Sequence, residues 1–413
     1  MIRFLAVLAC LVLALRAMAA DYPQAWVQHV ADGQIEVRAV TAPGMPCPAI
    51  TVEGFATDST VRHAATDGRY PVQVCVVRLP DSARDLRADG LRLPNPARTL
   101  RRLVILGDTG CRLKGTDAQD CNSPALWPFA AVARLAAARK PDLVIHVGDY
   151  HYREDPCPTG RPGCAGSPHG DNWAVWQADF FVPAAPLLAA APWLMTRGNH
   201  ELCNRGGIGW FVLLDPRAAT ACVAMTPPYA LNIGGQQFLV HDSADASDEP
   251  AATANDAAFR AQFAELHAVA RPGAWLLTHR PIWALDQFQG VPAGKAINPV
   301  LQRAIHGQVP PGLALIVSGH IHVFESFDFG GLRPAQLVVG NGGSKEYGIG
   351  QPVAPGNLID GLPVRASIAF SDYGYLVLDR VAGGWLGTVH GVDDAVLARC
   401  RVSGRALRCS RTG

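Results

Sequence analysis

The sequence predicts an α/β fold with helices packed on its sheets, preceded by a small β-rich domain. From Arg101 onward, short apolar runs alternate with alanine-rich helical segments, which is the pattern of strands buried beneath helices. Residues 21–98 instead hold short alternating runs bounded by proline and glycine, and Leu93-Pro94-Asn95-Pro96 reads as a linker. The chain has 413 residues, 49% of them apolar, which suits roughly two or three domains with sizeable cores.

Strands and helices can be placed along the chain from these patterns. N-terminal strands are predicted at Gln34–Val40, Ala49–Gly54 and Tyr70–Leu79. Buried strands of the α/β region are predicted at Leu103–Leu106, Leu143–Val147, Trp193–Thr196, Trp275–Thr278 and Leu313–Ser318. Further strands are expected at Gln236–His241, Gln336–Val339, Gly374–Leu378 and Trp385–His390. Helices are predicted at Ala125–Lys140, with Ser123 as its N-cap, within Asn172–Ala190 and at Asn255–Ala270.

The N-terminus has the form of an export signal. Arg3 is basic, Phe4–Leu15 is apolar but too short to span a bilayer, and Ala17-Met18-Ala19 is a small-x-small cleavage site. A retained anchor and a lipid-modified Cys10 are the alternatives. We therefore expect a signal peptide at residues 1–20, a secreted or periplasmic protein, and no membrane span. The net charge of +1, without a long run of like charge, gives no reason to expect a nucleic-acid scaffold.

Cysteine usage agrees with an oxidising compartment. The chain has 11 cysteines, and apart from Cys10 they fall into pairs of short separation, as in exported proteins with disulfides. Spacing alone leaves the connectivity open, and the pairs suggested are Cys47–Cys75, Cys111–Cys121, Cys157–Cys164, Cys203–Cys222 and Cys400–Cys409. The last pair would close a hairpin with its turn near Ser403-Gly404, so residues 399–413 are expected to form a C-terminal disulfide hairpin and tail.

Five short blocks carry the chemistry, and each follows a predicted strand. They are Gly107-Asp108-Thr109-Gly110, Gly148-Asp149-Tyr150-His151-Tyr152, Gly198-Asn199-His200-Glu201, Thr278-His279-Arg280-Pro281 and Gly319-His320-Ile321-His322. Ligands of α/β folds collect at the carboxyl ends of strands, so we expect the blocks to meet there. Mixed oxygen and nitrogen donors without thiolate suit Fe, Zn or Mn. Each block alone could be an ordinary turn or a structural histidine. Five such blocks in this order are not explained in that way.

Taken together, these motifs resemble the purple acid phosphatases, a branch of the calcineurin-like metallophosphoesterases. The resemblance covers about residues 100–345, and one departure is Leu276, where the family usually has valine. It implies a metallophosphoesterase-type two-sheet sandwich flanked by helices, with the catalytic domain over residues 99–398 after the β-rich domain of residues 21–98.

The resemblance also implies the roles of the site residues. Fe³⁺ would be held by Asp108, Tyr152 and His322, and a second ion (Fe²⁺, Zn²⁺ or Mn²⁺) by Asn199, His279 and His320. Asp149 would bridge the two ions. His200 would meet the substrate phosphate and, when protonated, stabilise the transition state or donate a proton to the leaving group.

A ligand position that this chain leaves without a donor supports iron as the first metal ion. Many metallophosphoesterases have a metal-binding histidine where this chain has Gly110, so the first ion would be one ligand short. Tyr152, three residues after Asp149, has the spacing to replace it, and a phenolate favours a trivalent ion. The alternative is that Tyr152 only packs, as we expect of Tyr150.

The implied activity is hydrolysis of small phosphate monoesters by a metal-bound hydroxide, as in acid phosphatases. His151, Arg153, Glu201 and Asp242 are possible substrate-side neighbours, although loop or supporting positions suit them better, and Asn341-Gly342-Gly343 is a possible rim turn. The alternatives are a phosphodiesterase acting on nucleotides or lipid head groups, and a non-catalytic protein that binds phosphate or metal.

Overall fold

The structure, a computed structural model, describes residues 25–65, 68–218, 220–249, 251–286, 295–347 and 351–412. The predicted signal peptide, including Cys10, lies outside the described residues. Within these ranges no helix has both the length and the apolar character needed to cross a bilayer.

Two large mixed β-sheets form the centre of the protein. In the described chain the first sheet has 11 strands, in the spatial order Ala406–Arg411, Val396–Ser403, Gly384–Gly391, Gly374–Val381, Arg102–Leu106, Leu143–His146, Trp193–Met195, Trp26–His29, Ile35–Thr41, Gln73–Leu79 and Thr60–His63. The second has 7, in the order Tyr229–Ile233, Gln236–His241, Trp275–Thr278, Leu315–Ser318, Ala335–Val339, Phe324–Asp328 and Ala366–Phe370. Each sheet contains a run of neighbouring parallel strands with antiparallel strands outside it.

Smaller sheets lie outside these two. They consist of Leu113–Lys114 with Asp117–Ala118, Ala284–Asp286 with Lys295–Ile297, Leu358–Ile359 with Leu362–Pro363, and the strands Phe55–Thr57, Ile50–Val52, Leu86–Ala88 and Leu91–Arg92.

Helices cover the outer faces of both sheets. The first sheet carries Phe129–Ala138, Trp173–Trp176 and Val182–Leu188, the last two joined by a π-helical turn at Gln177–Phe181. The second carries Asp256–Val269 and Pro299–Ile305. Shorter elements are the 3₁₀ turns Pro162–Cys164 and Asn199–Glu201, the helical turn Gly207–Gly209 and the π-helical Trp210–Leu214. The predicted α/β architecture of two sheets flanked by helices is confirmed.

Alternation along the central strands explains these layers. Leu103 and Ile105 belong to the buried cluster between the sheets, whereas Val104 and Leu106 belong to the cluster beneath the helices of the first sheet. Successive side chains of a strand point to opposite faces, so an unbroken apolar run is buried on both sides. The predicted helix Ala125–Lys140 begins only at Phe129, and Ser123 is not its N-cap. The Ser123 carbonyl accepts the amides of Leu126 and Trp127 in a separate turn, and Pro128, which has no amide hydrogen, interrupts the pattern before the helix begins.

The N-terminal and C-terminal regions extend the first sheet. Trp26–His29 pairs in parallel with Trp193–Met195, and the hairpin Val396–Ser403 and Ala406–Arg411 continues the opposite end. The sheet therefore crosses both predicted domain boundaries, after residue 98 and after residue 398, without a break. The boundaries themselves stay a prediction.

The five suggested disulfides are all formed. Cys400 and Cys409 face each other across the C-terminal hairpin, whose turn contains Gly404 as predicted. The other bridges are Cys47–Cys75, Cys111–Cys121, Cys157–Cys164 and Cys203–Cys222. Five disulfides indicate folding in an oxidising compartment.

Candidate metal centre

The five blocks meet at one end of the two sheets, directly after the parallel strands. Asp108, Asp149 and His320 make the sharp turns themselves, with φ of 56°, 61° and 73°. Non-glycine residues adopt this left-handed conformation infrequently, although aspartate and histidine do so more readily than most. The sheet topology therefore brings the predicted residues together, as expected for the carboxyl ends of strands.

The glycines that precede these residues serve mainly to permit close approach. A Cβ atom on Gly198 would lie 2.1 Å from Asp149 Oδ1, and one on Gly319 would lie 2.3 Å from Asp108 Oδ2. Of the glycines directly before Asp108, Asp149, Asn199 and His320, only Gly148 has a positive φ, of 101°. At Gly107, Gly198 and Gly319 the chain therefore requires space, because a side chain there would overlap its neighbours.

The first cluster consists of Asp108, Asp149, Tyr152 and His322. The Tyr152 hydroxyl lies 3.0 Å from Asp108 Oδ1, 2.9 Å from Asp149 Oδ2 and 2.8 Å from His322 Nε2. All four side chains are buried. Burial and the two carboxylates raise the pKa of Tyr152 well above its usual range, and burial raises that of Asp108. Two carboxylates and a phenol oxygen converging in a buried space are the donor set of a hard cation.

The second cluster consists of Asp149, Asn199, His279 and His320. Asn199 Oδ1 lies 3.0 Å from His279 Nε2 and 2.8 Å from His320 Nδ1, and Asp149 Oδ2 lies 3.2 Å from His279 Nε2. One donor atom from each of Asp149, His279 and His320 lies within 4.8 Å of the others. Asp149 belongs to both clusters. Although burial opposes it, the charge of His279 holds the pKa of Asp149 well below its usual range, which favours the carboxylate.

Contacts behind the histidines orient their free nitrogens. His279 Nδ1 donates to the Val147 carbonyl at 2.8 Å, and His322 Nδ1 donates to the Lys345 carbonyl, so each Nε2 faces the clusters. His320 is turned the other way, because its Nδ1 faces Asn199 while Nε2 lies 3.0 Å from Asp248 Oδ2. A second contact of this kind is typical of metal-binding histidines. The residues present therefore fit two adjacent cations.

Residues 101–324 match the family model described as calcineurin-like phosphoesterase. The chain belongs to the calcineurin-like phosphoesterase family. It is therefore a metal-dependent phosphoesterase, and the two clusters are the candidate positions of a binuclear centre.

Solved structures show the same architecture. Purple acid phosphatase PPD1 from yellow lupin (Lupinus luteus) seeds is 13% identical and gives a TM-score of 0.57, with 94% of this chain and 74% of that chain covered. PhoD is 13% identical with a TM-score of 0.50, covering 94% of this chain and 92% of that chain. Likeness at this identity concerns the fold alone. No curated protein sequence matches this one.

Glu201 supports the centre of this calcineurin-like phosphoesterase from below. Its fully buried carboxylate accepts the backbone amides of Gly198 and Asp149 on one oxygen, at 2.9 and 3.0 Å, and those of Tyr150 and His151 on the other. Burial and the Asp149 charge raise the pKa of Glu201 to about 7. Glu201 thus joins the Asp149 loop to the Asn199 loop and does not face substrate.

His200 lies over the first cluster. Its ring centroid is 3.7 Å from that of Tyr152, its Nε2 is 3.8 Å from Asp149 Oδ2, and its Nδ1 is 2.9 Å from Glu154 Oε1. Burial, together with the charge of Arg205, lowers the pKa of His200 to about 3, although Asp149 and Glu154 act in the opposite direction. Burial thus favours the neutral imidazole when no anion is bound, and the predicted role of protonated His200 toward a bound phosphate stays a prediction. Glu154 was not foreseen, because nothing in its local sequence distinguishes it.

The remaining candidates belong to the surrounding network. Arg153 pairs with Asp179, Asp242 pairs with Arg197, and His151 contacts the Gly170 carbonyl. The Tyr150 hydroxyl donates to the Thr196 carbonyl, away from both clusters, as expected of a packing residue. The Asn341-Gly342-Gly343 turn is buried and does not form a rim: the Gly342 amide donates to the Gly107 carbonyl, and the amide of the next residue, Ser344, donates to the Asp108 carbonyl.

Proposed function

We propose that this protein is an exported acid phosphatase that hydrolyses small phosphate monoesters with two bound metal ions. The observation that carries the proposal is the Tyr152 hydroxyl, which lies within 3.0 Å of Asp108, Asp149 and His322. A phenol among two carboxylates and an imidazole is a ligand set for Fe³⁺. The predicted export signal and the five disulfides support secretion or a periplasmic location.

The proposed ligands divide between two sites. Asp108, Tyr152 and His322 would hold Fe³⁺, Asn199, His279 and His320 would hold Fe²⁺, Zn²⁺ or Mn²⁺, and Asp149 would contact both ions. Two cations held there would lower the pKa of water and neutralise charge on the phosphate.

The chain's own residues orient the ester. His200, close above Asp149, would contact the phosphate, and a bound dianion would favour its protonated form by opposing the effects of burial and of Arg205. Protonated His200 would then donate to the departing oxygen. Glu154, in contact with Nδ1, keeps the imidazole in the orientation that points Nε2 toward the clusters.

A metal analysis combined with a substrate panel tests the proposal. The purified protein should contain two metal ions, one of them iron, and hydrolyse 4-nitrophenyl phosphate faster than bis(4-nitrophenyl) phosphate across about pH 4 to 8. The variant Asp149→Ala, which lacks the shared ligand, controls for contaminating phosphatases. Faster diester hydrolysis would indicate a phosphodiesterase instead. Two bound metals without turnover of either ester would indicate a binding protein.

A further inference from the structure

Two guanidinium groups from different loops flank His200. Arg112 Nη1 lies 3.3 Å from His200 Nε2, and Arg205 Nη2 lies 2.8 Å from Nδ1 and 2.7 Å from Nε2. Arg112 follows Cys111 of the Cys111–Cys121 bridge, and Arg205 lies within the loop closed by Cys203–Cys222. Both cations are thus carried by disulfide-closed loops at the mouth of the proposed centre.

These arginines have more donors than the protein satisfies. Arg205 contacts Glu154 and donates to the Asn199 carbonyl at 3.2 Å, while its buried Nε has no hydrogen-bond partner among the described residues. Arg112 Nε donates to Asp117 at 3.1 Å, but the Asp117 carboxylate also accepts a hydrogen bond from the Lys345 ammonium group. One carboxylate therefore balances two cations. A guanidinium has five N–H donors, and a buried donor left unpaired is costly, so an anion beside His200 would be stabilised.

Burial increases the effect of these charges. The side chains of Arg112 and Arg205 are 16% and 15% exposed, so they can reach a ligand in the opening while losing most of their hydration. Charge interactions strengthen as water is excluded, and arginine pairs with phosphate oxygens through two parallel hydrogen bonds.

We propose that Arg112 and Arg205 bind the non-bridging oxygens of the substrate and set the preference of the site for dianionic phosphate monoesters over diesters. This inference rests on the proposed function. A monoester has three non-bridging oxygens and two negative charges, so an oxygen remains for the arginines when the others face the two metal positions. A diester has one charge fewer and carries its second ester group in place of that oxygen.

The test compares two esters in matched variants. Arg112→Gln and Arg205→Gln should each lower kcat/KM for 4-nitrophenyl phosphate about 10- to 100-fold, while the value for bis(4-nitrophenyl) phosphate stays within about threefold. The Ki of inorganic phosphate should rise in parallel, with metal content unchanged. Arg205→Lys keeps the charge but loses the paired N–H donors of the guanidinium, so its kcat/KM for 4-nitrophenyl phosphate should lie between those of the wild type and of Arg205→Gln. Arg161→Gln is the control, because Arg161 faces Asp120 on the neighbouring disulfide loop and is 43% exposed.

Other results would overturn the inference. Equal losses for both esters, unchanged phosphate inhibition, or loss of metal in the glutamine variants would show that these arginines support the structure and do not select the substrate. Should a glutamine variant fail to fold, the ester ratio and phosphate Ki of Arg205→Lys decide the question. A wild-type protein that binds phosphate without hydrolysing a monoester would refute the proposed function, and weaker phosphate binding by the variants would still support the arginine site.

Discussion

The ring of Tyr152 occupies the space that a side chain at position 110 would need. A Cβ atom on Gly110 would lie 2.9 Å from Tyr152 Cδ2, 3.0 Å from its amide nitrogen and 2.5 Å from the Tyr150 carbonyl oxygen. Gly110 has no positive φ, so the requirement is for space and not for backbone freedom. The missing side chain and the phenol are therefore complementary, and position 110 cannot carry a ligand while Tyr152 is in place.

Replacing Tyr152 by phenylalanine tests the iron assignment. The variant keeps the ring and loses the hydroxyl that lies among Asp108, Asp149 and His322, so the visible absorption expected of a phenolate–Fe³⁺ pair should disappear while the protein stays folded. Absorption spectra with circular dichroism measure both properties. Tyr150→Phe is the control, since among the described residues that hydroxyl bonds to the carbonyls of His146 and Thr196 and to neither metal cluster, so the visible band should remain in this variant. A visible band in Tyr152→Phe would refute the assignment.

Gly110→Ala should be disruptive although the residue lies in a turn. The new methyl group would overlap a backbone carbonyl and the Tyr152 ring, and overpacking of this kind costs about 1–3 kcal/mol of the free energy of unfolding. We expect a lower denaturation midpoint together with weaker iron binding. Gly68→Ala is the matched control, because its Cβ would meet no atom of the described residues within 4 Å. Equal midpoints for the two variants would contradict the steric argument.

His200→Ala should separate catalysis from metal binding. The His200 ring packs against Tyr152 but belongs to neither ligand cluster, so we expect turnover of 4-nitrophenyl phosphate to fall by about 100-fold or more with metal content unchanged. Metal content is measured on the same preparations. The exposed His169 supplies a control substitution to alanine. Loss of a metal in His200→Ala would make this residue a ligand.

Asp248→Asn should weaken the second metal site selectively. Asp248 Oδ2 lies 3.0 Å from His320 Nε2, and Asp248 is itself held by Arg280 and by Asn298 Nδ2 at 2.9 Å. Loss of such a carboxylate typically lowers metal affinity about 10- to 100-fold, because the imidazole loses its orientation and basicity. Metal titration should show this loss at one site only. Asp256→Asn, which removes a carboxylate paired with Arg303 and in contact with neither metal cluster, is the control. Equal loss at both sites would argue against the role of Asp248.

His29 should make the fold sensitive to acid. Burial lowers the pKa of His29 to about 4, so between about pH 6.5 and 4 the unfolded chain binds a proton that the folded protein does not. The free energy of unfolding should therefore fall as the pH decreases through this window, by up to about 3 kcal/mol from this residue. In His29→Gln, which is neutral throughout, the dependence should flatten. Chemical denaturation at several pH values measures the difference, and parallel curves would contradict it.

Much of the site follows from local sequence. Asp108, Asp149, Asn199, His279 and His320 each come after a short apolar run, and parallel strands place their carboxyl ends at one edge of a sheet. The disulfides were also predictable, because the paired cysteines lie between 7 and 28 residues apart. Such features depend on neighbours along the chain, which sequence patterns report directly.

Other features were decided by tertiary structure. Arg112 and His200 are 88 residues apart, and Asp248 meets His320 across 72 residues. Neither contact has a local signature, since each depends on the order of strands and the path of loops between them. The same holds for Trp26–His29, which joins the first sheet beside Trp193–Met195. By itself the sequence determined which side chains leave the strand ends and suggested which nearby cysteines pair, because backbone turns, apolar periodicity and short separations are local. Only the packed sheets decided which charged groups surround those side chains, because long-range neighbours are set by the burial of the whole core.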